Sequence, residues 1–464
     1  MKEWIFASAT RIAKGIVNKE VSSVEIVELH LRRIEDVNNK IHAVVQIAGE
    51  RALYEARQAD SDLFRGNLKG PLHGVPVTIK DSFDTAGIIT AAGTRGRASF
   101  VPQKDATVVS RLRKAGAIVL GKTNTSELTN GATCSSDNPV YGTTNNPHEL
   151  SRTTSGSSGG AAAIVAAGGS PLDIGSDTGG SIREPCHYCG VAGIKPTSGR
   201  VSRTGHTPPA LGVLNSLTQI GPIARYVEDL ESVLLIIAGI DWMDPGIVPM
   251  PLGHSNNVNL SSLKIAVYTH NGRSTPSEDV AAAVTLAGHV MAEVVASVDS
   301  VVPPNLKDAL ELFLKLINAD GRNWLRRQLH KAGTKEKDSS LQFPDKDRML
   351  MSVKENYVLQ EQIDSFRAGM IDFMSRFDAI ICPVTLCTAR RYDSMPTDMY
   401  DLWTPDTTAY NLTGYPAAVV PAVITENGLP IGVQVVGRPW HEDVVFAIAK
   451  HIEKSLGGYR RPQL

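Results

Sequence analysis

The chain has 464 residues, 42% hydrophobic and 20% charged, which is enough apolar material for a large core that needs no disulfide or metal staple. Lysine and arginine number 47 against 48 acidic residues, and this balance argues against nucleic acid as a partner. Five cysteines are few for this length, no charge-free segment reaches spanning length, and the apolar stretch 4–9 is too short for a signal segment, so a cytoplasmic protein without membrane attachment is expected.

The spacing predicts an amphipathic helix over 20–38. Ser22 and Glu25 form a capping box, and Val24, Val27, Leu31 and Ile34 recur at helical spacing. Residues 75–79 are apolar and β-branched and read as a buried strand ending at Lys80-Asp81. A helix over 105–115 and a buried strand over 117–120 follow. Residues 153–160 are a Gly/Ser loop leading into an Ala-rich helix over 161–167, and a second small-residue turn is expected over 175–183. Residues 240–265 read as a surface crossing, and 305–375 as charged helices with a loop near 333–347. Strands return at 379–381 and 417–420, the turn at Glu426-Asn-Gly428 leads to a hairpin partner over 431–436, and a helix over 443–456 closes the chain. Alternating strands and helices predict an α/β fold, a single large domain with a mixed β-sheet core covered by helices on both faces.

Gly179-Gly180-Ser181 places two glycines before a hydroxyl. Such a turn lets a substrate approach the backbone and aims successive N–H groups at one point, so Ser181 is a candidate nucleophile. A Gly-rich connecting turn is the plain alternative. Serine needs a base, and none of the 12 histidines sits in a Gly-x-Ser-x-Gly motif. A buried, neutral lysine is another solution, and Lys80 ends a buried strand.

Several motifs together resemble the amidase signature family: Gly74-Val-Pro-Val-Thr-Ile-Lys-Asp81, Gly121-Lys-Thr-Asn124, Gly156-Ser-Ser-Gly-Gly160, Gly175-Ser-Asp-Thr-Gly-Gly-Ser-Ile-Arg183 and Cys189-Gly-Val-Ala-Gly-Ile-Lys-Pro-Thr197. Asn411-Leu-Thr-Gly-Tyr-Pro-Ala417 and Gly428-Leu-Pro-Ile-Gly-Val-Gln434 look like its closing motifs. The resemblance implies one amidase domain over 1–464, with a signature core at 70–225 and a variable helical insertion at 240–375 that shapes the substrate pocket. It implies a hydrolase of carboxamide C–N bonds, and of aryl esters and carbamates in a promiscuous, urethanase-like branch. Lys80 matches the base, Ser157 a relay serine that follows a cis peptide bond, and Ser181 the nucleophile. The backbone N–H groups of Thr178, Gly179, Gly180 and Ser181 match the oxyanion hole, and Ser158, Asp177 and Arg183 match supporting positions. No cofactor or metal is implied. The expected partner is a small amide, ester or carbamate, with the protein a monomer or homodimer.

Other signals weigh less. Gly116-Ala-Ile-Val-Leu-Gly-Lys-Thr123 fits the phosphate-loop pattern, but its strand lies inside the motif instead of before it, so no nucleotide is expected. Cys186 and Cys189 have no second pair at zinc spacing and read as packing residues. His187 and His206 are candidates to line the site but read as structural or surface groups, and Lys122 reads as a structural ion-pair partner. One alternative function is the amidase subunit of a glutamyl-tRNA amidotransferase, but Thr125-Ser-Glu-Leu128 departs from that subunit's Met-Asp-Glu-Phe. A silent binding module is the other, and it conflicts with an intact Lys80, Ser157 and Ser181. The pocket is expected from 125–142, 186–215, 310–350 and 390–410, where Trp324, Leu325, Phe343, Tyr400, Trp403 and Tyr410 serve either the pocket or the core.

Overall fold

A computed structural model describes residues 2–130, 134–343, 350–396 and 398–464. Among the described residues eleven strands run in chain order: β1 Val44–Ile47, β2 Pro76–Lys80, β3 Ile118–Thr123, β4 Leu172–Asp177, β5 Ala192–Lys195, β6 Gln219–Ala224, β7 Lys264–Val267, β8 Ser297–Ser300, β9 Ala379–Pro383, β10 Ala417–Ile424 and β11 Pro430–Gly437. They form two sheets. A small one has the order β1-β3-β2, and an eight-stranded one the order β4-β6-β5-β10-β11-β9-β7-β8. The large sheet is mixed: β4 to β9 pair antiparallel along that order, while β9-β7 and β7-β8 are parallel. The predicted strands at 75–79 and 117–120 therefore lie in the small sheet, paired parallel to each other.

Side-chain alternation along the strands divides the core. In β9, Ala379 and Ile381 pack with the helices Glu278–Ala292 and Glu442–Leu456, whereas Ile380 and Cys382 pack with the helices Ala309–Asn318 and Val353–Arg376. In β10, Ala418 and Val420 belong to the first group, and Val419 faces the helix Gly159–Ala166 with its neighbours. Helices thus cover both faces of the large sheet, as the period-2 pattern of buried strands requires.

The helix predicted at 20–38 spans Ser23–Ile41 and carries the expected box. The Glu25 N–H donates to Ser22 Oγ at 3.1 Å, and the Ser22 N–H donates to Glu25 Oε2 at 2.8 Å. Two readings change. Residues 175–177 finish β4 instead of opening a turn, because Gly175 and Ser176 pair across to Gly221 and Ile220. The stretch 240–375 is also more than helical, since β7 and β8 lie within it and form one edge of the large sheet. No described helix is long and apolar enough to cross a membrane.

Candidate active site

The site forms where β2 and β4 end. Every residue of β2 is buried, so Lys80 is carried into the interior as the last residue of an apolar strand. The helix Gly159–Ala166 is wholly buried behind the serine loop, and a Cβ on Gly160 would lie 2.4 Å from Asn124 N, so only glycine allows the loop to seat this closely. The Gly156-Ser157 peptide is cis, matching the relay position. Lys80 Nζ then meets three hydroxyls: Ser157 Oγ at 2.6 Å, Ser158 Oγ at 2.9 Å and Ser176 Oγ at 2.9 Å.

No carboxylate makes an ion pair with Lys80 among the described residues. Burial lowers its pKa to about 7, while the more distant Asp177 and Asp173 pull the other way. Asp173 is itself buried, which raises its pKa to about 7 against the hydrogen bonds from Thr78 and Thr123.

Asp177 and Arg183 bracket the turn that carries Ser181. Arg183 Nε donates to Asp177 Oδ2 at 3.0 Å and Nη2 to Oδ1 at 2.9 Å, and both side chains are fully buried. Arg183 also donates to Thr407 O, Gln434 Oε1 and Asn411 Oδ1. Burial works against charging Asp177, but the Arg183 guanidinium and Asn411 hold its carboxyl well below the usual range. Its carboxylate also accepts from the Gly180 N–H at 2.9 Å and the Ile182 N–H at 3.1 Å. That corrects the expected oxyanion hole: the Gly180 N–H is committed to Asp177. The N–H groups of Thr178, Gly179 and Ser181 have no protein acceptor among the described residues.

Ser181 is half-buried and lines a cavity of about 300 Å³, together with Thr178 and Gly179. Its carbonyl accepts from the Ser158 N–H at 3.2 Å. No hydrogen bond joins its hydroxyl to that of Ser157 among the described residues. Lys80 and Ser157 are therefore in contact, and Ser181 stands apart from them at the cavity wall. That wall is largely apolar, built by Leu214, Phe313, Leu316, Ile317 and Trp403, with Asp320, Arg322 and Arg327 as its charged members. Phe313 and Trp403 pack with ring centroids 5.5 Å apart.

Of the aromatic and apolar candidates, Trp324, Leu325 and Trp403 line the cavity. Tyr410 is core, its hydroxyl bonded to that of Tyr268 at 2.9 Å. Phe343 and Tyr400 lie under the guanidinium groups of Arg326 and Arg273. Within the expected pocket segments, residues 131–133, 344–349 and 397 lie outside the described residues. Lys122 sits inside β3, so the phosphate-loop geometry is absent there. Among the described residues it makes no contact ion pair; its Nζ donates to Phe83 O, to Thr85 Oγ1 at 2.8 Å and to Thr90 Oγ1 at 3.3 Å. Cys186 and Cys189 are buried core thiols, and His187 is held by the carbonyls of Gly432 and Cys387.

Two groups matter more here than the sequence reading suggests. Ser176, on β4, is a direct Lys80 partner, and His206 Nε2 reaches the same Ser176 Oγ at 3.0 Å while the ring also lines the cavity. The dense motif around Ser181 already contained Ser176. Nothing in the sequence ties His206 to it.

A family model described as Amidase matches residues 25–446. The chain is 35% identical over 480 residues to a glutamyl-tRNA(Gln) amidotransferase subunit from Anaeromyxobacter sp. (strain K), covering 97% of this chain and 96% of that protein. Among solved structures, 6-aminohexanoate cyclic dimer hydrolase with its substrate superimposes at TM-score 0.86 with 26% identity, covering 99% of both chains. A bacterial aryl acylamidase of the amidase signature family superimposes at TM-score 0.86 with 26% identity, covering 97% of this chain and 96% of the other.

Proposed function

This chain belongs to the amidase family and is an enzyme hydrolysing C–N amide bonds, and from that premise we propose that Ser181 attacks the carbonyl of an amide with an apolar acyl group, using Ser157 as relay and Lys80 as base. The observation that carries this reading is the 2.6 Å contact between Lys80 Nζ and Ser157 Oγ, made in a buried pocket beside the cavity wall that holds Ser181. Neutral Lys80 accepts the Ser157 proton as Ser157 accepts that of Ser181. Attack forms a tetrahedral oxyanion next to the N–H groups of Thr178, Gly179 and Ser181, with the Asp177-bound Gly180 holding the turn rigid. The proton returns along the relay to the departing amine, and water then cleaves the acyl-enzyme by the same route in reverse.

The apolar wall around Phe313, Ile317 and Trp403 supports an aryl or alkyl acyl group over a small zwitterion. Aryl esters and carbamates are within reach of the same chemistry. A carbamate carbonyl is less electrophilic, so its cleavage depends more on the hole. The deciding assay compares kcat/KM for a matched anilide and carbamate of one aryl amine, in wild type and in Ser157→Ala. Both rates should collapse together in the variant; carbamate cleavage that survives would remove Ser157 from the mechanism.

A second reading, the glutamine-hydrolysing component of a tRNA amidotransferase, has the 35% identity with such a protein in its favour. Brisk glutamine hydrolysis with no turnover of anilides would establish it over the first.

A further inference from the structure

We propose that His206 is a positioning residue that sets the direction of the hydrogen bonds around Lys80, and thereby aims the lysine's lone pair at Ser157. The inference rests on the Ser181–Ser157–Lys80 reading and extends it to a residue outside the motifs.

The chain of donors and acceptors can be followed atom by atom. His206 Nδ1 lies 2.9 Å from the Pro208 carbonyl oxygen, which only accepts, so Nδ1 carries the ring proton. In the neutral imidazole Nε2 must then accept, and its partner at 3.0 Å is Ser176 Oγ. Ser176 therefore donates its hydroxyl proton to His206 and has only lone pairs to offer Lys80, 2.9 Å away. Ser158 is polarised in the same sense. Its hydroxyl donates to the Ser176 carbonyl at 3.2 Å, leaving Oγ to accept from Lys80 at 2.9 Å. A neutral lysine amine has two N–H bonds and one lone pair. Ser176 and Ser158 take the two N–H bonds. The lone pair is left for the third neighbour, Ser157 Oγ at 2.6 Å, whose proton the reaction must remove.

The imidazole is held so that this polarity persists. Its segment is stitched antiparallel to the residues just after Lys80: Phe83 bridges to His206, the Asp84 N–H donates to Gly205 O at 2.9 Å, and the Thr207 N–H donates to Ser82 O at 2.7 Å. Phe83 also packs edge-on against the ring, with centroids 5.1 Å apart. Burial, with Lys80 and then Arg203 as neighbouring cations, lowers the histidine's pKa to about 3, so the ring stays neutral wherever the enzyme works. The charged groups that face Lys80 itself are Asp177 and Asp173, both from β4.

Without the acceptor at Nε2, the Ser176 hydroxyl is free to turn and donate to the Lys80 lone pair. That competes with Ser157 and also stabilises the neutral amine. The variant His206→Phe, which keeps a ring against Phe83, should therefore lose roughly 10- to 100-fold in kcat on an anilide. Its acidic limb should move to lower pH by about half to one unit, the worth of one hydrogen bond. A merely loosened site would admit water and move that limb the other way. His206→Gln, which can present an oxygen near the Nε2 position, should recover most of the rate. In a double-mutant cycle, His206→Phe should add little to Ser176→Ala, because the effect passes through that hydroxyl. An unchanged rate and limb in His206→Phe would overturn the proposal, as would a limb moving to higher pH or effects that simply multiply in the cycle. Lys80→Ala, measured alongside, separates the two ideas: an active Lys80→Ala enzyme removes the underlying mechanism, while a dead Lys80→Ala with an unaffected His206→Phe removes only the role of His206.

Discussion

Asp177 and Arg183, six residues apart, close a bidentate and fully buried ion pair around the turn that carries Ser181. The pair does more than neutralise charge. The Asp177 carboxylate also takes the Gly180 and Ile182 N–H groups, and Arg183 reaches across to Thr407, Asn411 and Gln434 near the C-terminus. The turn that carries Ser181 is thereby tied to the strand before it and to chain more than 200 residues away.

Arg183→Met should cost about 3–5 kcal/mol in unfolding free energy, because it leaves the Asp177 charge buried without its partner. Urea denaturation measures this. The sign of the pH dependence follows from the depressed carboxyl of Asp177: the pair's stabilisation is fully present above the ordinary aspartate range, declines as pH falls below it, and is lost only as pH falls through the carboxyl's own lowered range. The variant's deficit should therefore shrink in strong acid.

The wild-type rate should rise about tenfold per pH unit in acid and level off above neutrality, since Lys80 acts as the neutral amine and its pKa is lowered to about 7 by burial. A kcat/KM profile on an anilide tests it. A limb centred near the usual lysine value would mean that the base is solvated during turnover.

Ser181→Ala should abolish amide hydrolysis, by at least about 10³-fold, without a change in thermal unfolding. A serine-directed phosphonate should label Ser181 alone, as peptide mass spectrometry would reveal. Substantial activity in the variant, or a label on Ser157, would reassign the nucleophile.

Gly179→Ala should lower kcat by roughly 10- to 100-fold, because displacement of a reacting group by even an ångström is costly. A Cβ there would sit 2.8 Å from the Trp403 ring and 3.0 Å from that of Phe313, so the turn has to shift. Trp403→Leu should restore part of the rate in the double variant by making room. A Gly179→Ala enzyme with the native kcat would mean that the aromatic pair yields instead of the turn.

The proposed reacting serines are legible because they sit in contiguous runs of small residues that few other roles explain. Lys80 was legible because an apolar strand ends on it. What stayed hidden depends on tertiary proximity. His206 is 126 residues from Lys80 in sequence, and its ring meets that network only through Ser176. The commitment of the Gly180 N–H to Asp177 is likewise a matter of turn geometry, which residue type does not reveal. In β4, Gly175 and Ser176 resemble turn residues, yet pairing with β6 makes them strand. The strands β7 and β8, at one end of the large sheet, are four residues each, too short for period-2 patterning to stand out.

The segment that carries His206 continues through Pro208 and Leu211 to Leu214 as part of the cavity wall. Another part of the wall, on the helix Ala309–Asn318 and at Trp403, comes from elements that make no hydrogen bond to Lys80. An engineer seeking a new substrate thus faces two kinds of position. Randomising Leu316, Ile317 or Trp403 redraws the outline of what is accepted and spares the proton path. On the proposed mechanism, randomising the stretch from Gly205 to Pro208 retunes the base along with the fit, and a library built there would confuse poor recognition with a mis-aimed lysine.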